Sequence, residues 1–358
     1  MGPVLEWRAY FLRQASVQGI GTEGLERLRN ASVAVVGCGG VGSAAADYLA
    51  RSGIGYLRLI DQDVVDLSNL HRLHGASASD IYQPKAEVIA NALSRNMPWL
   101  KVEAIVDTAR EANVEELLGG VELIVDGLDN FRTRYVLNNY SIRTRVPYLF
   151  TSAIANQGHA ALFQPPNNAC LECIFPSLVS SPNESCESLG VTSSVVATIG
   201  AIAANEAVKF LLGQTSRLAS SLLTLDLAGP DFVFSKLSKR PDCRECGATP
   251  TAKHWGSDQG EVSILCGENT ANVIPRKMQK LDLDRISLRL GAREVLACSA
   301  NVLVYRENNL VVSLFRNGRL IIQGVTSEDD ARVKSSQVLE RLGIVTAATQ
   351  GIVSTKGP

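Results

Sequence analysis

Two short cysteine pairs, Cys170-Leu-Glu-Cys173 and Cys243-Arg-Glu-Cys246, set four thiols at the spacing a tetrahedral metal site uses. Each pair offers two ligands from one tight turn. Four thiolates with no histidine among them suit zinc and leave no open position for catalysis. The pairs lie about 70 residues apart, so a metal would close a long loop. The other readings are buried thiols or two disulfides. Met1–Gln14 carries Glu6, Arg8 and Arg13 and no apolar core segment, which does not resemble a secretory signal. The expected setting is therefore a reducing, cytoplasmic one, where such pairs more often hold metal than crosslink. Between the pairs stands Cys186, in Asn183-Glu-Ser-Cys186-Glu-Ser-Leu-Gly190-Val191, preceded by Ser180-Ser-Pro-Asn183. A cysteine left outside the cluster, on a loop, is a candidate nucleophile. Cys38, Cys266 and Cys298 are assigned to the core or to chance.

A second constellation suits phosphate. Ser32–Val36 is a short, β-branched apolar run, as a buried parallel strand requires. Gly37-Cys-Gly39-Gly40-Val-Gly42 follows, then helical spacing over Ser43–Ser52. A second strand, Tyr56–Ile60, ends at Asp61. A helix start offers unpaired N–H groups and a partial positive charge, and residues without a Cβ let phosphate approach. The carboxylate of Asp61 is placed to accept hydrogen bonds from ribose hydroxyls. The alternative is a tight strand-to-helix turn with no ligand.

These residues need a scaffold, and the chain supplies one. Helical patterns over Lys85–Arg95, Val114–Leu118 and Arg132–Arg143 alternate with strands at Val102–Val106, Glu122–Asp126 and Pro147–Thr151. That alternation predicts an α/β fold with a doubly wound, mostly parallel sheet, Rossmann-like, whose ligands sit beyond the carboxyl ends of the strands. Ser194–Leu212 is apolar but interrupted by Asn205, Glu206 and Lys209, and reads as a buried helix. Composition changes near Lys253. Asn301–Arg306, Leu310–Phe315 and Arg319–Gln323 read as strands joined by Asn308-Asn309 and Asn317-Gly318, and Thr326-Ser327 caps a helix to about Leu342. The expected organisation is a larger α/β domain over 1–253 with the glycine turn and the cysteine cluster, a linker at Gly256–Gly260, and a small α+β domain over 261–358. With 358 residues, 46% of them hydrophobic, and a net charge of -1, the chain has ample core and no general attraction to nucleic acid or membrane.

In combination the motifs resemble the ThiF/MoeB family, within the superfamily of enzymes that activate ubiquitin-like proteins. They are Tyr10-Phe-Leu-Arg13-Gln14, Gly37-Cys-Gly39-Gly40-Val-Gly42, Asp61-Gln-Asp63, Leu67-Ser-Asn69-Leu-His-Arg72, Gln83-Pro-Lys85, Asp126-Gly-Leu-Asp129-Asn130 and both cysteine pairs. The resemblance spans roughly Arg8 to Cys246. It implies that ATP meets a small β-grasp carrier protein, whose C-terminal glycine carboxylate displaces pyrophosphate to give an acyl-adenylate. It further implies that Arg72 and Lys85 hold the triphosphate beside Asn69, that Asp61 holds the ribose, that Asp129 binds Mg²⁺, and that Asp63 and Asn130 also belong to the nucleotide site. Arg13 would reach into the site of a second subunit, making a homodimer. Cys186 would form a thioester or take part in persulfide chemistry, with a conjugating enzyme or a sulfur donor as a further partner. The Ala9-Tyr10-Phe11 start departs slightly from the family's arginine-tyrosine pattern.

Two other functional classes share parts of this pattern. A nicotinamide-dependent oxidoreductase would use the glycine turn and Asp61, but leaves Arg72, Lys85 and the cysteines unexplained. A non-catalytic scaffold that binds β-grasp proteins would need no adenylate chemistry.

Overall fold

A computed structural model describes residues 6–176, 190–248, 261–265, 269–275 and 279–344. The chain forms two compact units.

The larger unit is built on an eight-stranded sheet: β1 (Ser32–Val36), β2 (Tyr56–Ile60), β3 (Lys101–Ile105), β4 (Leu123–Asp126), β5 (Tyr148–Ile154), β6 (Gln157–Phe163), β7 (Ser221–Asp226) and β8 (Asp231–Lys236). Their spatial order is β3-β2-β1-β4-β5-β6-β7-β8. Pairing is parallel from β3 to β5 and antiparallel from β5 to β8. The chain winds outward from β1 through β2 to β3, then returns to place β4 on the other side of β1. The order therefore reverses between β1 and β4, and a crevice opens beyond their carboxyl ends.

The helices are α1 (Trp7–Tyr10), α2 (Leu12–Ala15), α3 (Gly21–Asn30), α4 (Gly40–Arg51), α5 (Lys85–Asn96), α6 (Val114–Leu118), α7 (Phe131–Thr144), α8 (Leu171–Ile174) and α9 (Ser193–Leu211). The alternating residues of β1 feed two apolar layers. Val33 and Val35 pack with Ala45, Leu49, Ile89 and Ala203; Ala34 and Val36 pack with Leu118, Val136 and Tyr140. Both faces of this strand are buried, which is why its sequence shows no polar alternation. Helix α9 is long and apolar enough to cross a membrane, the one such helix among the described residues. Here it packs into the first layer, where a Cβ on Gly200 would come within 2.6 Å of the Ala44 methyl.

The smaller unit holds a six-stranded antiparallel sheet: β9 (Glu261–Leu265), β10 (Thr270–Ile274), β11 (Val295–Cys298), β12 (Val302–Glu307), β13 (Leu310–Phe315) and β14 (Leu320–Gln323), in the order β11-β12-β13-β14-β10-β9. Helices α10 (Leu283–Ser287) and α11 (Glu328–Arg341) complete it. Asn308 and Gly318 take positive φ at the two turns read from the sequence. Ser327 caps α11 by accepting from the Asp330 N–H at 3.1 Å. Three further strands, β9 to β11, extend the sheet beyond the sequence reading. The expected linker, Gly256–Gly260, lies outside the described residues.

Candidate nucleotide site and cysteine cluster

The glycine turn joins β1 to α4, and its glycines have different reasons. Gly37 takes φ +87, and a Cβ there would sit 2.6 Å from the Gly127 carbonyl group. A Cβ on Gly42 would lie 1.8 Å from the Gly37 carbonyl oxygen, and one on Gly127 only 2.3 Å from that same oxygen. These three let the turns after β1 and β4 touch. Gly40 lies against Val196, at 3.0 Å for an added Cβ. Gly39 is different: its nearest neighbour would be 3.9 Å away. It is the N-cap residue of α4 and supplies no side-chain cap, so no capping side chain occupies the first N–H groups of this twelve-residue helix, and the space beside Gly39 is open.

Acidic groups converge beside this turn. The Asp61 carboxylate accepts from the Cys38 N–H at 2.6 Å and from the Asp63 N–H at 2.7 Å. Asp61 is only 8% exposed. Burial pushes its pKa up to about 6 and the Asp63 carboxylate adds to this; Lys85 and the two N–H groups oppose it. Lys85 opens α5, with its N–H donating to the Asp63 carbonyl at 2.9 Å and its Nζ to Asp63 Oδ2 at 3.2 Å. Burial opposes the lysine charge, yet Asp63, Asp61 and, further off, Asp129 hold its pKa above the usual lysine range. Asp63 Oδ1 is buried with no hydrogen-bond partner. An open helix start, a lysine, a buried orphan carboxylate oxygen and the exposed Asp129 fit a magnesium nucleotide: N–H groups and a cation suit phosphate, and hard oxygen donors suit Mg²⁺.

The turn after β4 brings in Asp129. Its neighbour Asn130, not Asp129, caps α7, accepting from the Thr133 N–H at 2.9 Å. Asp129 is exposed and accepts from Asn130 Nδ2 at 3.2 Å. Behind the turn lies a pair the sequence reading did not single out. Asp126 and Arg134 are both buried, with Arg134 Nε 3.1 Å from Asp126 Oδ2. An acid ending a strand and an arginine eight residues later, inside a helix, have no recognisable spacing, so only the fold reveals them.

The other predicted residues make local contacts. Asn69 shapes its own turn, accepting from the Asp66 N–H at 3.4 Å, while Arg72 donates to the Ser68 carbonyl at 2.9 Å and is half-buried. Arg13 is exposed on α2. Its motif is anchored instead by Phe11, 2% exposed, which packs edge-on against Tyr10 and Trp99, and by Gln14, which donates to the Ser52 carbonyl at 2.7 Å. Cys186 lies outside the described residues, as does Cys266. Cys38 is buried within the glycine turn, and Cys298 is exposed on β11.

Cys170, Cys173, Cys243 and Cys246 come together, with all four sulfurs within 4.8 Å of one another. Individual separations are 3.9 Å for Cys170–Cys173, 3.7 Å for Cys170–Cys243 and 3.4 Å for Cys173–Cys246. Tetrahedral zinc–sulfur bonds of about 2.3 Å place sulfurs about 3.8 Å apart, so the cluster fits zinc. None of the four is in a disulfide. Hydrogen bonds from the Cys170 and Cys246 thiols, and from the Arg240 N–H at 3.4 Å, hold the Cys173 thiol far below its usual range. Cys170, Cys173 and Cys243 belong to the apolar layer under α7, so a metal here would tie the end of β8 to the layer beside β4.

The ThiF family profile matches residues 11–246. The chain is 35% identical over 248 residues to a sulfur carrier protein adenylyltransferase of Thermus thermophilus, covering 67% of this chain and 91% of that protein. It is 27% identical over 329 residues to the sulfur carrier protein ThiS adenylyltransferase of Bacillus subtilis, covering 91% of this chain and 97% of that protein. That second match extends into the smaller unit. Among solved structures, Escherichia coli MccB superposes with a TM-score of 0.59 at 23% identity, over 66% of this chain and 75% of MccB, and shares the fold.

Proposed function

The chain belongs to the ThiF family, and from that premise we propose that it adenylates the C-terminal glycine of a small β-grasp carrier protein with ATP. The names of its relatives favour a sulfur carrier as the substrate. The carrier carboxylate attacks the α-phosphorus; the bond from that phosphorus to the bridging oxygen breaks, and pyrophosphate leaves. A carboxylate is nucleophilic at neutral pH, so no general base is needed. What the enzyme must supply is alignment and charge neutralisation.

The single observation that carries this reading is the open start of α4 at Gly39, beside Asp61, Asp63 and Lys85. The α4 N–H groups would receive phosphate, Asp61 the ribose, and Lys85 and Arg72 the transferring phosphoryl charge. Asp129 would hold Mg²⁺, which when bound offsets charge on the phosphate oxygens. Arg13, exposed on α2, would act in the site of a second copy in a homodimer. Zinc would be structural, its four positions filled by the cysteines. Cys186 would then attack the adenylate carbonyl, releasing AMP and forming a thioester; or, after taking a sulfane sulfur from a donor persulfide that leaves as its thiol, it would attack through that outer sulfur, releasing AMP and forming an acyl persulfide. Residues 261–358 would form a separate domain for docking a partner.

Carrier-dependent exchange of labelled pyrophosphate into ATP tests the first step, with mass spectrometry of the carrier C-terminus to detect the AMP adduct. No exchange with any sulfur carrier of the source organism would remove the proposal.

A further inference from the structure

Resting on that reading, we propose that Asp126 and Arg134 are positioning residues that brace the peptide before Asp129, and so set where the metal-bound phosphates sit. Leu128 is the intervening residue. Its N–H donates to Asp126 Oδ1 at 2.8 Å, and its carbonyl accepts from Arg134 Nη2. Both backbone groups of one residue are thus held by the two members of one buried ion pair. Arg134 Nη2 also donates to the Thr151 carbonyl at 2.8 Å, fixing the brace to β5. Asp126 Oδ2 takes a further bond from the Tyr148 hydroxyl at 2.5 Å. The guanidinium lies between the Phe131 and Phe150 rings, its carbon 5.2 and 5.1 Å from their centroids.

Full burial is costly for both charges unless each is paired and hydrogen-bonded, and here they are. Apolar residues would fill the same space without that demand. The pair does something they would not: it immobilises a turn whose next side chain is exposed and must hold one position. Gly127 adds the second restraint, because its Cα side is pressed against Gly37 and Gly42. The turn after β4 is therefore fixed below by the ion pair and beside by the glycine turn, leaving Asp129 aimed outward from a rigid base.

The test pairs backbone exchange with kinetics in the full chain. In Arg134→Lys, hydrogen exchange of peptides spanning 127–130, measured without nucleotide, should speed up about tenfold or more while α4 and β1 keep their protection. The Mg²⁺ concentration for half-maximal pyrophosphate exchange should rise about tenfold or more, with the KM for carrier unchanged. Tyr148→Phe keeps the ion pair and the ring packing, and should shift both readouts the same way by about threefold. It serves if the lysine variant fails to fold. Unchanged exchange at 127–130 in both variants overturns the brace. Faster exchange with an unaltered Mg²⁺ requirement also overturns it, because the pair would then be merely structural. If the wild-type protein exchanges no pyrophosphate, the functional reading fails, and hydrogen exchange alone decides whether the brace exists.

Discussion

Lys85 Nζ lies 3.2 Å from the Asp63 carboxylate, with the lysine side chain only 12% exposed. The ammonium is therefore held charged and in place before any nucleotide arrives. A preorganised cation acts on developing phosphate charge without reorganising. Lys85→Ala should lower kcat for pyrophosphate exchange by about a hundredfold, as for other lost transition-state donors. Lys85→Arg should restore part of it. Steady-state exchange kinetics decide the matter, and an unchanged kcat would remove Lys85 from the site.

The glycine turn separates packing from binding. Gly42→Ala must place a methyl 1.8 Å from the Gly37 carbonyl, so it should destabilise the fold by about 3 kcal/mol or more. Gly39→Ala meets nothing closer than 3.9 Å and should cost no more than about 1 kcal/mol, the ordinary penalty of alanine at an N-cap. If phosphate rests on the start of α4, the same methyl should weaken ATP at least tenfold. Thermal unfolding and calorimetric titration with ATP read the two effects. A Gly39→Ala protein that binds ATP normally would move the phosphates elsewhere.

Zinc should be present at one ion per chain. Cys173→Ser or Cys246→Ser should abolish it and lower Tm, because structural metal binding is folding free energy. Elemental analysis of the purified protein with and without a strong chelator checks this. Full stability after complete removal of metal would reduce the cluster to four packed thiols.

Much of this site was legible because its chemistry is local. The glycine run, the acid ending β2 and the two cysteine pairs are short patterns whose spacing carries the geometry. The alternation of strands and helices placed Asp61 and Asp129 at strand ends. The antiparallel half of the larger sheet was not read, because Gln157–Phe163, Ser221–Asp226 and Asp231–Lys236 are stabilised by partners rather than by a distinctive pattern of their own. Strand β8 is largely exposed, so its alternation is weak. Arg134 was illegible for the opposite reason. In sequence it is one more arginine on an amphipathic helix, and only the β4–β5 pairing brings Asp126 and Thr151 to it. Asn69 and Arg72 have the right types, and their hydrogen bonds here are local, to the Asp66 N–H and the Ser68 carbonyl.

Asp61 makes stability and ligand affinity run in opposite directions with pH. Its pKa is about 6 in the fold, raised by burial, against about 3.9 for an unfolded aspartate. Between these values the unfolded chain has lost its proton while the folded chain keeps it. The unfolded state then binds fewer protons, so stability falls as pH rises from about 4 to about 6, by on the order of 3 kcal/mol. Ribose recognition needs the ionised form, which accepts hydrogen bonds without offering one. Affinity for adenosine, which carries no titrating phosphate, should therefore strengthen as pH rises through about 6. Asp61→Asn should flatten both profiles, and Lys85 stays charged throughout, so it contributes to neither slope. Denaturant unfolding and adenosine titration at pH 4.5 to 8 provide the two curves. Adenosine affinity that ignores pH would take Asp61 away from the ribose.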